Sequence, residues 1–149
     1  MDSNVRILVV EDEMIIGAKI SMLLTNLGYE VSGLLSRGED VPGHVAESRP
    51  DIILLDINLK GKLDGIETAK LIAAQVPTPI IFLTANSDEA TFNRAKAVKP
   101  AAFISKPFKQ LDLQRAIELT ISRMEDKGPV EESGEPEKEE PPSFLNDRM

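Results

Sequence analysis

Ile52-Ile53-Leu54-Leu55 sets four large apolar residues in a row and then stops at a carboxylate, Asp56. A strand with one wet face alternates apolar and polar side chains. An unbroken run of this length, followed by glycine-rich sequence, therefore predicts a strand buried on both faces of a parallel sheet. The same grammar recurs four more times. Ile7-Leu8-Val9-Val10 ends at Glu11-Asp12-Glu13, and Tyr29 to Leu35 is β-rich. Pro79-Ile80-Ile81-Phe82-Leu83 ends at Thr84, and Ala102-Phe103-Ile104-Ser105 ends at Lys106-Pro107.

Helical spacing fills the intervals. Ile16, Ile20, Leu23 and Leu27 fall on one helix face, and Gly28 suits the residue just past its end. Ser36 and Glu39 have capping-box spacing, but Pro42-Gly43 follows, so a short or irregular helix is expected over about 40–48. Ile66, Ala69, Leu71 and Ile72 supply the apolar positions of a helix from about Ile66 to Ala74. Ser87 or Asp88 can cap a fourth, ending near Val98. A fifth runs over about 111–126, with Leu113, Ala116, Ile117, Thr120, Ile121 and Met124 inward and Leu119 off that face. Five β-α units in succession predict an α/β fold: a doubly wound parallel sheet with helices on both faces and right-handed crossovers.

The 149 residues divide unevenly. Residues 1–127 carry the five units and a 42% apolar chain can supply their core. Residues 128–149 hold four prolines and seven acidic residues against Lys138 and Arg148, and read as a disordered acidic tail. Pro142-Ser143-Phe144-Leu145 is its one apolar spot. The tail accounts for −5 of the formal charge of −8. That balance argues against a nucleic-acid-binding face, which must be basic. Without cysteine there is neither a disulfide framework nor thiolate chemistry. No stretch has the roughly 20 apolar residues that span a bilayer. The N-terminus lacks the pattern of a signal peptide, and a cytoplasmic location is expected.

Parallel strands share a direction, so their last residues gather at one edge. Those residues are Glu11 and Asp12, Asp56, Thr84 and Lys106. In the flavodoxin-like order 2-1-3-4-5, the first and third strands are neighbours, and their junction is the switch point where such sheets bind ligands. Three carboxylates meeting there repel one another. Either their pKa values rise or a cation joins them, and an all-oxygen set suits Mg²⁺. Lys106 can grip an anion and Thr84 offers a hydroxyl. The group is a site for a phosphoryl group delivered to Asp56, a carboxylate that can form an acyl phosphate.

The pattern Val9-Val10-Glu11-Asp12-Glu13, Leu54-Leu55-Asp56-Ile57-Asn58-Leu59, Asp64-Gly65, Leu83-Thr84-Ala85 and Lys106-Pro107-Phe108 resembles the receiver domain of two-component response regulators, over roughly residues 4–125. The resemblance implies the (βα)5 fold with sheet order 2-1-3-4-5, Mg²⁺, and phosphotransfer from the phosphohistidine of a histidine kinase or phosphotransfer protein. By position, it implies Asp56 as phosphoacceptor and Glu11 and Asp12 as metal ligands beside it. Asn58 would add its backbone carbonyl to the metal, and Lys106 would pair with the phosphoryl group. Thr84 would swing to bond that group, with Phe103 as the aromatic that follows. It also implies a cis Lys106–Pro107 bond and roles for Asn58 and Asn86 in tuning dephosphorylation. Three departures stand out, one of them the Pro42-Gly43 pair that disturbs helix two. Lys60 replaces the proline common four residues after the acceptor, and the loop from Asp56 to Gly65 is one residue longer than the commonest form.

A single-domain response regulator is thus the leading expectation, since no sequence for an output domain follows the last helix. It would not be an enzyme in its own right. It would signal through the face of helix four, strand five and helix five, to a protein target or in a phosphorylation-dependent dimer. A receiver-fold binding module without phosphotransfer is one alternative. An aspartyl-phosphate phosphatase of the haloacid dehalogenase type is another, but Asn58 stands where its general-acid aspartate would be. A flavodoxin is disfavoured because Glu11-Asp12-Glu13 would repel a flavin phosphate. His44, the sole histidine, is expected to be exposed and inert.

Overall fold

The computed structural model describes residues 4–85 and 88–126. Five strands form one sheet: β1 (Arg6–Val10), β2 (Glu30–Leu35), β3 (Ile52–Asp56), β4 (Ile80–Thr84) and β5 (Ala102–Ser105). All pairings are parallel and the order is β2-β1-β3-β4-β5. The intervening helices are α1 (Met14–Asn26), α2 (Val41–Ser48), α3 (Gly65–Gln75), α4 (Glu89–Ala97) and α5 (Gln110–Asp126). Every residue of β3 is buried, as its unbroken apolar run requires. Ile53 and Leu55 join Leu8, Val10 and Phe82 in a core cluster with Val41 and Val45 of α2 and Ile66, Ala69 and Ile72 of α3. Ile52 and Leu54, at alternate positions, are equally buried.

The chain up to Ala116 forms one compact unit; from Ile117, α5 runs on to Asp126 as a second. Within α5, Leu113, Ile117 and Thr120 are buried and Leu119 is exposed, in line with its spacing. The acidic tail and Asn86 lie outside the described residues.

Several local expectations are corrected. The buried face of α1 is Gly17, Ile20 and Leu24, turned from the expected face, and Leu23 and Leu27 only flank it. Gly28 does end this helix, with φ +96°; its N–H donates to Thr25 O and that of Tyr29 to Leu24 O. Ser36 and Glu39 make no capping box. A 3-10 turn at Gly38–Asp40 precedes α2, which starts at Val41 with Pro42 in its first turn. Proline is tolerated there because first-turn N–H groups have no intrahelical partner. In α3, Leu71 is exposed, while Thr68 takes an inward place. Asp88 caps α4, accepting from Thr91 N–H at 2.7 Å. His44 is half-buried over Gly33, its ring 3.3 Å from the Ser32 hydroxyl.

Candidate functional site

Register builds the site before any side chain is considered. Val10 of β1 lies level with Leu55 of β3, so the next residues, Glu11 and Asp56, come side by side at the sheet edge. Asp56 pairs with Leu83 of β4, and Thr84 pairs with Ser105 of β5, which puts Lys106 one step further out. The sheet thus delivers these groups from four strand ends to one edge.

Side chains complete the assembly. The Lys106 ammonium donates to Glu11 Oε1 at 2.9 Å and to Asp56 Oδ2 at 3.2 Å. Glu11 and Asp56 are buried, and Lys106 is nearly so. One carboxylate oxygen each from Glu11, Asp12 and Asp56 lies within 4.8 Å of the other two. Burial pushes the Glu11 carboxyl up to about 6, helped by the Asp56 charge, while the Lys106 hydrogen bond pulls the other way. Burial alone would lower Lys106, but its hydrogen bonds and ion pairs with Glu11 and Asp56 outweigh that and raise it. With all four groups ionised the cluster would carry −2, which a divalent cation neutralises. Three hard oxygen donors suit Mg²⁺. The residues present therefore fit the ion that the sequence implies.

Backbone amides hold the same carboxylates from outside. Glu13 N–H donates to Glu11 Oε2 at 3.2 Å and Asn58 N–H to Asp56 Oδ1 at 3.0 Å. Lys60 N–H donates to Asp12 Oδ2 at 3.2 Å, across 48 residues of chain. After Asp56 the loop alternates: Ile57 and Leu59 are buried in the core cluster, and Asn58 and Lys60 face out. Its far end is the N-terminus of α3, where Asp64 and Glu67 form a capping box at 2.8 Å in each direction. Gly65 is required there, since a Cβ would lie 2.1 Å from the Asp56 carbonyl oxygen. Arg94 of α4 reaches Asp64 Oδ2 at 3.2 Å.

Thr84 ends β4, and its carbonyl accepts from Lys106 N–H at 2.9 Å. Thr84, Phe103 and Lys106 line one recess of about 320 Å³, together with Phe92 of α4. Phe103 lies between two other rings, its centroid 5.8 Å from Phe82 and 5.0 Å from Phe92. The Lys106–Pro107 peptide is cis.

Sequence reasoning named Glu11, Asp12, Asp56, Asn58, Thr84, Phe103 and Lys106, and the fold brings the first three into a triad with Lys106. Asn58 enters through its N–H to Asp56. Two participants were missed. Phe92 sits on a polar helix and carries no strand-end signal. The Lys60 contact is made by a backbone amide, which every residue but proline carries, so its side chain gave no sign.

The model of the response regulator receiver domain matches residues 7–118. The chain is 35% identical over 118 residues to the transcriptional regulatory protein PdtaR of Mycobacterium tuberculosis, covering 79% of this chain and 57% of that one. The chain thus spans little more than half the length of that relative. Among solved structures, it resembles the signal receiver domain of a modulated diguanylate cyclase from Desulfovibrio desulfuricans G20, with a TM-score of 0.78 and 41% identity over 82% of this chain and 97% of that one. It also resembles the receiver domain of a sensor histidine kinase from Pseudomonas aeruginosa PAO1, with a TM-score of 0.73 and 33% identity over 80% and 98% of the two chains. That structure has a magnesium ion coordinated in its active site cleft.

Proposed function

The chain belongs to the response regulator receiver domain family, and on that premise we propose that it takes a phosphoryl group from a phosphohistidine onto Asp56 and signals by exchanging protein partners. One observation carries the reading: the Lys106 ammonium bridges Glu11 and Asp56 at 2.9 and 3.2 Å while Asp12 stands within reach of both carboxylates. A carboxylate oxygen of Asp56 attacks phosphorus. A P–O bond forms, the P–N bond to the donor imidazole breaks, and that nitrogen keeps the electron pair. Mg²⁺, when bound by Glu11, Asp12, Asp56 and the Asn58 carbonyl, supplies charge neutralisation for the incoming phosphoryl oxygens. Lys106 holds Asp56 in place and then turns its ammonium to the anion. Positioning and charge compensation are the whole of the protein's contribution, as expected for this chemistry. In this role the chain is a phosphoacceptor that assists its own labelling rather than an enzyme acting on a separate substrate.

The readout runs through the recess beside the site. The Thr84 hydroxyl bonds the new phosphoryl group and Phe103 moves into the space vacated. The face of α4, β5 and the first turns of α5 then presents a different surface to a protein target or to a second copy of the chain. This is a shift between two states, biased by one covalent charge. Among the described residues no helix is long and apolar enough to cross a membrane.

Incubation with Mg²⁺ and acetyl phosphate tests the proposal. Intact mass should rise by one phosphoryl group in the wild type and stay unchanged in Asp56→Asn or when EDTA is present. A wild-type protein that takes no label, or a variant that takes as much, would overturn it.

A further inference from the structure

Three carboxylates at the site each have one oxygen fixed by a backbone amide, but the three amides are not alike. Those of Glu13 and Asn58 are two residues from the side chains they hold, so each carboxylate brings its own support. Among the described residues, Asp12 has no such local donor. Its Oδ2 is held by the N–H of Lys60, from a loop that follows a different strand. Every residue but proline could give such an N–H. Next in the loop, Gly61 takes φ +107°, a bend open to glycine. Buried Ile57 and Leu59 fix the path on the other side, so the amide of residue 60 is aimed rather than free.

We propose that the backbone N–H of Lys60 is a positioning group for the divalent cation, holding the Asp12 carboxylate by Oδ2 so that Oδ1 is left for the metal. This rests on the phosphotransfer reading above, because it assigns Asp12 to the ion. It goes beyond that reading in giving the main chain at residue 60 a function: the amide, not the lysine ammonium, is the contribution. Outer hydrogen bonds of this kind orient a ligand before the metal arrives, and their loss typically weakens binding roughly tenfold or more.

The test separates amide from side chain in the full-length protein. Mg²⁺ is titrated while the amide resonances of residues 11–13 and 56–60 are followed by NMR. Lys60→Ala keeps the N–H and should bind Mg²⁺ within about twofold of wild type, since an exposed lysine contributes little. Lys60→Pro should bind roughly tenfold more weakly. Replacing the residue-60 amide by an ester, through semisynthesis with the α-hydroxy analogue of lysine, should do the same while keeping side chain and chain course. In the metal-free protein, Asp12→Ala should also shift the Lys60 amide proton upfield. An ester that binds Mg²⁺ as tightly as wild type overturns the inference and leaves the phosphotransfer reading standing. So does a Lys60→Ala variant as weak as the ester, which would point to the ammonium. A wild-type protein that binds no Mg²⁺ overturns both.

Discussion

Glu11 sits with no exposed surface beside a second carboxylate, and its charge is tolerated because Lys106 lies 2.9 Å away. Its folded pKa of about 6 exceeds the ordinary glutamate value of 4.5, so the folded chain holds this proton more tightly than the unfolded chain does. Stability from protonating Glu11 is therefore complete below about pH 4.5 and is lost as pH rises through about 6. Glu11→Gln mimics the protonated form at every pH. In metal-free buffer its stability advantage over wild type should grow between pH 4.5 and 7 by about 2 kcal/mol, read from urea unfolding. A difference independent of pH would count against a strained Glu11. The acidic residues of the site, and Lys106, were legible in the sequence because each stops an apolar run, and a strand end has a fixed place in a parallel sheet. Contacts set by main-chain atoms or by a surface ring, such as those of Lys60 and Phe92, leave no mark of that kind.

Among the elements, α3 is tied to the site by its first residue. Gly65 N–H donates to Ile57 O at 2.9 Å, and the backbone of Asp56 and Ile57 leaves no room for a Cβ. Gly43, within α2, has nothing within 4 Å of such an atom. The same substitution should therefore act in opposite directions. Gly65→Ala should destabilise by about 1–3 kcal/mol as the loop shifts, and disturb the Asp56 amide resonance. Gly43→Ala should stabilise by about 0.5–1 kcal/mol through the usual helix preference. Thermal unfolding of the two variants checks both signs. Helix existence was readable from apolar spacing, but faces and caps were less so. α1 and its capping residue Leu27 carry Ile15, Ile16, Leu23 and Leu24 around much of the circumference, so periodicity alone did not select Leu24. Ser36 and Glu39 have the right spacing for a cap, but a 3-10 turn displaces the start of α2 past them.

For the molecule as a whole, the sheet imposes a polarity: three strand ends deliver charge to one edge, and three of the converging groups are acids. An ion that binds only this folded arrangement must stabilise the fold by mass action. Mg²⁺ at about 100 times its Kd should add about 2.7 kcal/mol and raise Tm, reversibly with EDTA, while Asp12→Asn should show a much smaller rise. Calorimetry with and without the ion makes the comparison. The parallel sheet was legible because five repeats of one β-α unit leave few topologies open, while its strand order came from the resemblance to receiver domains. The rings of Phe82, Phe103 and Phe92 touch in sequence from the core to a helix surface, and the outermost is 45% exposed. Any coupling along that file would have to run both ways. If phosphate chemistry inside alters how the outer ring is offered, whatever grasps the outer ring must alter the standing of the phosphate by the same factor, and the listener becomes part of what is said.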